Sequence, residues 1–406
     1  MATTLFELSE GALRFLVPLN LNDRGLGPEA IGFVIFAFSL TSLLSRGAAA
    51  ALFRPDRAKA LIVGAGLAST VAYLLTPFTT DVAVFTVLMA IDGFGWGIAT
   101  TCLFALVMLC TPASISPAVA MGWYIGFQGI AFAIATSVGG ILAELVGIRT
   151  AMLILATVPV LAAGLIALRL PPVVRDMERP DASSAEDDVI LPGGRPRLPL
   201  AMRSAVRRAA LLPVAVWAAA LVAVYLNVMN GLLQSFFPLL GLALGLSIAQ
   251  IGTLSSVRSA VSAVARFGAG WLFARVAANR LHIPLLTTSA VTLALLPSAG
   301  AYIVHLPLFA LNGISRGLLR VTTSATAMEQ TRGDQAGMAA AVMTAGLDVG
   351  KMIGPLIGGF VAAAAGVETM FRIVPLVFLA LYGLLYLAAV NKPGAPASSP
   401  PIEPAP

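Results

Sequence analysis

The chain has 406 residues, of which 58% are hydrophobic and 11% charged, and a formal net charge of +6. Soluble domains carry about 25% charged residues, so this composition excludes a protein with a water-coated surface. Apolar runs of roughly 20 residues, the length that crosses a bilayer as a helix, recur from end to end. A transmembrane β-barrel is excluded too, because its segments alternate in polarity over about 10 residues, and ILAELVGIRTAMLILATVPVLAAGLIAL shows no such alternation.

In chain order the apolar runs and the breaks between them predict helices over 5–22, 29–52, 60–77, 82–108, 118–142 and 150–170. A second set follows over 213–240, 248–273, 284–304, 306–330, 336–363 and 369–390. The first six form an N-terminal bundle, residues 1–170, and the second six a C-terminal bundle, residues 213–390. Between them, 171–212 is rich in Pro and in charges of both signs, the composition of a flexible linker. The end, 391–406, reads PGAPASSPPIEPAP after two residues and is a disordered tail by composition. Lys and Arg gather in one set of loops, Arg54, Arg57, Lys59, Arg169, Arg275, Arg280 and Arg332 among them, against Arg24, Arg149 and Arg372 in the other. The positive-inside rule then puts both termini and the linker in the cytoplasm, and the chain in the inner membrane as a multi-pass protein. This also disposes of nucleic acid as a partner, since the basic excess marks sidedness.

Cys102 and Cys110 lie eight apart in one predicted helix and His282 and His305 are distant, so neither a disulfide framework nor a metal site is expected. No cofactor motif is present. GLDVGK, residues 346–351, is a residue short of a phosphate loop, with Met352 where Ser or Thr is required. The first apolar stretch carries acids and no basic leader, so no cleavable signal is expected.

Within that stretch, LFELSEGALRF places Glu7, Glu10 and Arg14 on one helical face. Adding 220 to these positions gives Asn227, Asn230 and Gln234, so the same face is polar in the seventh helix. The offset is general. It pairs Gly11 with Gly231, Pro18 with Pro238, Gly25 with Gly245, Gly32 with Gly252, Ser42 with Ser262 and Arg46 with Arg266. After one deletion it becomes 219, pairing Gly139 and Gly140 with Gly358 and Gly359, and Gly147 with Gly366. Matches that include Gly, Pro and Arg at one offset indicate a duplicated six-helix unit. Its fourth helix carries Asp92, Trp96 and Thr100, four apart, and the tenth carries Asn312, Arg316 and Arg320 at the repeat positions. The seventh helix begins near Pro213, so its mate would begin about eight residues before Met1. A start further upstream, or a first helix lacking its inner turn, is therefore expected.

Two parallel six-helix halves joined by a linker resemble the major facilitator superfamily along nearly the whole chain. Gly350, Gly354, Pro355, Gly358 and Gly359 are similar to the family's eleventh-helix G-x3-G-P-x2-G-G pattern, in which small residues let helices approach. The fifth-helix copy keeps Gly139 and Gly140. The stretch RGAAAALFRPDRAK, which begins at Arg46, is similar to the family's basic loop after the second helix, with Phe53 where the family has Asp. Its repeat, GWLFARVAANR, follows Arg266. The resemblance implies an all-α membrane fold of two parallel six-helix bundles related by a pseudo-two-fold axis. It implies also that the first, fourth, seventh and tenth helices line a central cavity. Glu10, Arg14, Asp92, Trp96, Asn227, Asn230, Gln234, Asn312, Arg316 and Arg320 would then border it, while Arg46, Arg266 and the glycines would govern helix packing.

The energetics agree with that placement, since an ionised group at mid-bilayer costs about 2.5–3.5 kcal/mol on insertion scales and more in some simulations. Arg14, Asp92, Arg316 and Arg320 therefore need water, a partner or a ligand. Glu10 with Arg14 is the evident intrahelical pair, Glu7 is as readily solvated at the cytoplasmic end as buried, and Asp348 with Lys351, three apart, should neutralise each other. Arg258 stands at the repeat position of Phe38. A carboxylate in a poorly hydrated cavity can carry a proton, and Asp92 and Glu10, then Asp348, are the candidates. The expected function is secondary transport of a small organic solute by alternating access, coupled to protons and directed to export. One alternative is an organic-anion uniporter or symporter with Arg14, Arg316 and Arg320 as the clamp, and another is a sensor or assembly subunit on the same fold. No nucleophile, base and orienting group occur at enzyme-like spacing. The expected partners are a small-molecule substrate, protons and the lipid bilayer, with the chain a monomer.

Overall fold

A computed structural model describes residues 2–52, 54–110, 117–169, 212–273, 275–276, 278–329 and 335–390. The expected linker, but for Leu212, and the expected tail lie outside the described residues. Twelve helical rods are present among those described. The first half holds α1 (Ala2–Asp23), α2 (Pro28–Leu52), α3 (Pro55–Leu75), α4 (Val82–Cys110), α5 (Pro117–Val146) and α6, in two segments (Ile148–Ala156 and Val158–Arg169). The second half holds α7 (Val214–Ala243), α8 (Ile248–Phe273), α9 (His282–Leu295), α10 (Tyr302–Glu329), α11 (Gln335–Ala365) and α12 (Val367–Val390). Eight helices or helix pairs are long and apolar enough by themselves to cross a membrane. Those that fall short include α1, α8 and α10, the helices that carry Glu10, Arg14, Arg258 and Arg316.

Boundaries follow local chemistry. Pro28 and Pro55 open α2 and α3, where the missing N–H would have had no partner. Gly25, Gly147, Gly245 and Gly366 are the four glycines with positive φ, between 76° and 87°. They cap α1, α5, α7 and α11 in the left-handed conformation that glycine adopts without a Cβ clash. These are two repeat pairs, 25 with 245 and 147 with 366. The ninth helix departs from expectation: it ends at Leu295, followed by a single tight turn over Leu296–Ser298, and α10 starts at Tyr302. Pro297 and Gly300 break the apolar run there, as Pro77 ends α3 in the tight turn Thr76–Phe78.

The halves meet where α2 packs on α11 and α5 on α8. A Cβ on Gly32 would lie 2.4 Å from the Pro355 carbonyl oxygen, and one on Gly252 would lie 2.3 Å from that of Thr136. Thr136 and Pro355 are themselves repeat mates, so the two seams are one contact used twice. Thr136 and Ser256 share a hydroxyl hydrogen bond of 2.8 Å, and the Ala249 amide donates to Glu144 at 2.8 Å. All these contacts lie toward the end where α2 and α8 begin. Nearer the other end, Arg46 of α2 reaches Asp348 of α11 at 3.0 and 3.1 Å.

Candidate functional site

The expected polar stripes converge between the halves, but not as one lining. On the N-terminal side Arg14 Nε lies 3.3 Å from Glu10 Oε2. The Tyr73 hydroxyl donates to Asp92 at 2.7 Å, and Glu10 Oε2 lies 3.3 Å from the same oxygen. A phenol has one proton to donate, so the shorter contact holds it. Glu10, Asp92 and Tyr73 are completely buried. Glu10 and Asp92 lie behind Arg14 rather than in the cavity wall, and of the three Tyr73 alone borders the cavity. Glu7 is likewise buried, held by a hydrogen bond from Gln128, so the solvated reading of this residue is corrected.

Arg14 has a second environment. Its guanidinium carbon lies 4.1 Å from the Phe38 ring centre and 4.3 Å from that of Trp96. Lys351, from the other half, lies 4.3 Å from the Trp96 ring and 5.5 Å from the Phe38 ring. Two cations from opposite halves thus share one aromatic pair, each drawn by the negative ring faces. Lys351 does not pair with Asp348 as expected. One turn of separation on α11 points the carboxylate at Arg46 across the interface, and the ammonium at the rings. Asp348 is thus placed in a bridge between halves, away from the other two acids.

On the C-terminal side amides replace acids. Arg258 donates from Nε to Asn312 Oδ1 at 2.8 Å and from Nη2 to Asn230 Oδ1 at 3.2 Å. Asn312 is fixed in turn by donation to Thr292 and Ser289 at 3.3 Å. Asn227 donates to the Leu347 carbonyl at 2.6 Å, which ties α7 to α11. Arg316 lies close enough to Arg258, Arg266 and Arg320 to feel their charge. Arg316 is partly exposed, Arg320 exposed, and neither has an ion-pair partner among the described residues. Arg266 donates to Ser262 at 3.4 Å, and its Nε is buried without a partner.

Two adjoining spaces lie between these groups. The first, about 540 Å³, is bordered by Arg14, Phe38, Ser39, Asn230, Gln234 and Lys351. The second, about 530 Å³, is bordered by Arg14, Phe132, Thr136, Gln234, Arg258 and Phe309. They share Arg14 and Gln234. Among the described residues no Asp or Glu borders either one. Of the residues expected in the cavity, Arg14, Asn230 and Gln234 border these spaces; Trp96 packs behind Phe38, and Arg316 and Arg320 stand beyond Arg258. Tyr73 and Lys351 as a lining cation escaped the sequence reading, and Arg258, singled out there, was not assigned to the cavity. Only Arg258 had a usable signal, since it is the repeat mate of Phe38.

The family model of the major facilitator superfamily matches residues 1–331 and 227–406. No curated protein sequence matches the chain. Among solved structures it is similar to a bacterial homolog of the human lysosomal transporter Spinster, inward-facing and occupied: TM-score 0.74, 14% identity, covering 98% of this chain and 97% of that one. The unoccupied, inward-facing form of that homolog gives 0.72 at 15% identity, with the same coverage. The nucleoside transporter NupG gives 0.70 at 14%, covering 97% of this chain and 98% of that one. At these identities the likeness is one of fold.

Proposed function

The chain belongs to the major facilitator superfamily, and from that premise we propose that it carries a small organic anion across the membrane by alternating access, with proton coupling through Glu10 and Asp92. The observation that carries this reading is the wall of the cavity. Arg14 and Lys351 face the solute space on a shared aromatic pair, and the carboxylates are withdrawn behind Arg14. A flat or apolar anion suits such a wall, because guanidinium and ammonium bind its charge while Phe38 and Met89 cover its body.

The same arrangement suggests how protons enter. Arg14 is shared between Glu10 and the cavity, so an anion that draws the guanidinium forward deprives two buried carboxylates of their counter-charge. An uncompensated buried carboxylate is costly and takes a proton instead. Anion and proton would then travel together. Exchange of solute against proton, the expected export scheme, would need both to compete for one carboxylate, and Glu10 and Asp92 are 0% exposed. The positive-inside count assigns the Arg46–Asp348 end to the cytoplasm, and the tight Gly32 and Gly252 seams then close the outer side. Rocking about Arg14, Gln234 and Lys351 would open it.

Proteoliposomes loaded for uptake of radiolabelled benzoate test the proposal. Asp92→Asn should abolish accumulation driven by a proton gradient while leaving benzoate exchange intact. Coupled uptake that survives the substitution unchanged removes Asp92 from the proton path, and no benzoate flux in either mode counts against an aromatic anion as cargo.

A further inference from the structure

Arg258 and Arg14 are held in opposite ways. Arg14 is neutralised by Glu10. Arg258 is gripped by two neutral amides, Asn230 and Asn312, which orient the guanidinium fork and leave its charge in place. Five N–H donors belong to a guanidinium, and the two amides use two of them. Arg258 is 5% exposed and borders the second space, which joins the first through Arg14 and Gln234. Behind it stand Arg316, Arg266 and Arg320, within range of one another's charge. Among the described residues no carboxylate faces this group on α8 or α10. Like charges grouped in this way repel, and Arg258, the buried one of the four, would ordinarily be paired. An anion is the partner that this chemistry calls for.

We infer that the Arg258 cluster is a second anion subsite and that the solute carries two anionic groups, one on Arg14 and Lys351 and the other on Arg258, with the charge of Arg316 behind it. This rests on the reading of the cavity as an organic-anion site and deepens it. Phe132, Leu233 and Phe309 border the second space beside Arg258, so the linker between the two anionic groups is apolar. Carboxylate and phosphate both satisfy the guanidinium fork, and the test includes each.

Purified full-length protein in detergent, at constant ionic strength, is titrated by thermal stabilisation with matched pairs: benzoate against terephthalate, hexanoate against adipate, and phenyl phosphate against 4-carboxyphenyl phosphate. In the wild type at least one dianion should bind 10-fold or more tightly than its monoanion. Arg258→Gln should erase that difference by weakening the dianion to the level of the monoanion, with the monoanion itself unchanged. Arg316→Gln should reduce the difference in the same direction, and serves if Arg258→Gln fails to fold. Equal affinity of monoanion and dianion in the wild type overturns the second subsite and leaves the anion cavity standing, as does a variant that weakens both alike. If no member of the panel binds, the inference and the reading beneath it both fall.

Discussion

The two halves present the same backbone with opposite electrostatics. At repeat-related positions Glu10 corresponds to Asn230, Arg14 to Gln234, Asp92 to Asn312, Phe38 to Arg258 and Trp96 to Arg316. In the first half acids are buried around a single arginine that they neutralise. In the second, amides orient Arg258, which no described carboxylate on α8 or α10 neutralises. The duplication therefore fixed where polar side chains enter the interior, while later substitution decided their sign. A cavity between such halves has a field across it, and the site need not be symmetric although the fold is.

Removing one arginine from each half should break the comparison most visibly. Arg14→Gln strands Glu10 and Asp92 without a counter-charge, and breaking a buried pair in this way costs about 3–5 kcal/mol. Arg258→Gln leaves two amide oxygens short of a donor, at roughly 1–3 kcal/mol, but relieves repulsion from Arg316. Its net effect on unfolding should thus be much the smaller of the two. The Arg14→Gln deficit should also shrink as pH falls, because the folded variant takes up protons on Glu10 and Asp92 that the wild type does not need, whereas the Arg258→Gln deficit should not. Thermal melts across pH in lipid nanodiscs measure both. Equal deficits with equal pH slopes would mean that the two arginines are held alike.

The seams between halves should instead behave identically. Gly32→Ala and Gly252→Ala each drive a methyl into a backbone carbonyl at repeat-related contacts, Pro355 and Thr136. Overpacking of this kind costs about 1–3 kcal/mol, and here it opposes closure of one end. A cysteine introduced at Ser39, which is buried beside the cavity, should react faster with a polar thiol reagent in either variant. The two accelerations should match within about threefold, since 0.6 kcal/mol corresponds to that ratio. A large effect from one glycine alone would show that the seams have diverged as the charges have.

Much of this architecture was legible in the sequence because a duplication writes each structural rule twice. Gly25 with Gly245 and Gly147 with Gly366 stand at one offset or its single-deletion variant, and they became the four positive-φ caps. The Glu10–Arg14 pair was legible from its spacing of four. What spacing could not supply were contacts between distant helices. Asp348 and Lys351 are three apart and look self-neutralising, yet the partner of Asp348 is Arg46, 302 positions away. Tyr73 sits in a helix that carries no charge stripe, so nothing in the sequence linked its hydroxyl to Asp92. The early end of α9 was written in Pro297 and Gly300, but the apolar run through them masked it.

The Arg46–Asp348 bridge tests the link between the halves with the smallest change. The side chains are 35% and 16% exposed, and ion pairs so close to solvent are worth about 0.2–1 kcal/mol. Asp348→Asn should therefore lower the melting stability hardly at all. The bridge nevertheless joins α2 of one half to α11 of the other, so any excursion that separates them at that level must break it. Losing up to 1 kcal/mol from the bridged state alone shifts the population by a factor of about 5 or less. Asp348→Asn should then speed solute exchange in proteoliposomes by no more than that factor, and Arg46→Asp combined with Asp348→Arg should return it to the wild-type rate. Failure of the reversed pair to restore the rate would mean that Asp348 acts through its neighbour Lys351, and so on the solute, rather than through the bridge.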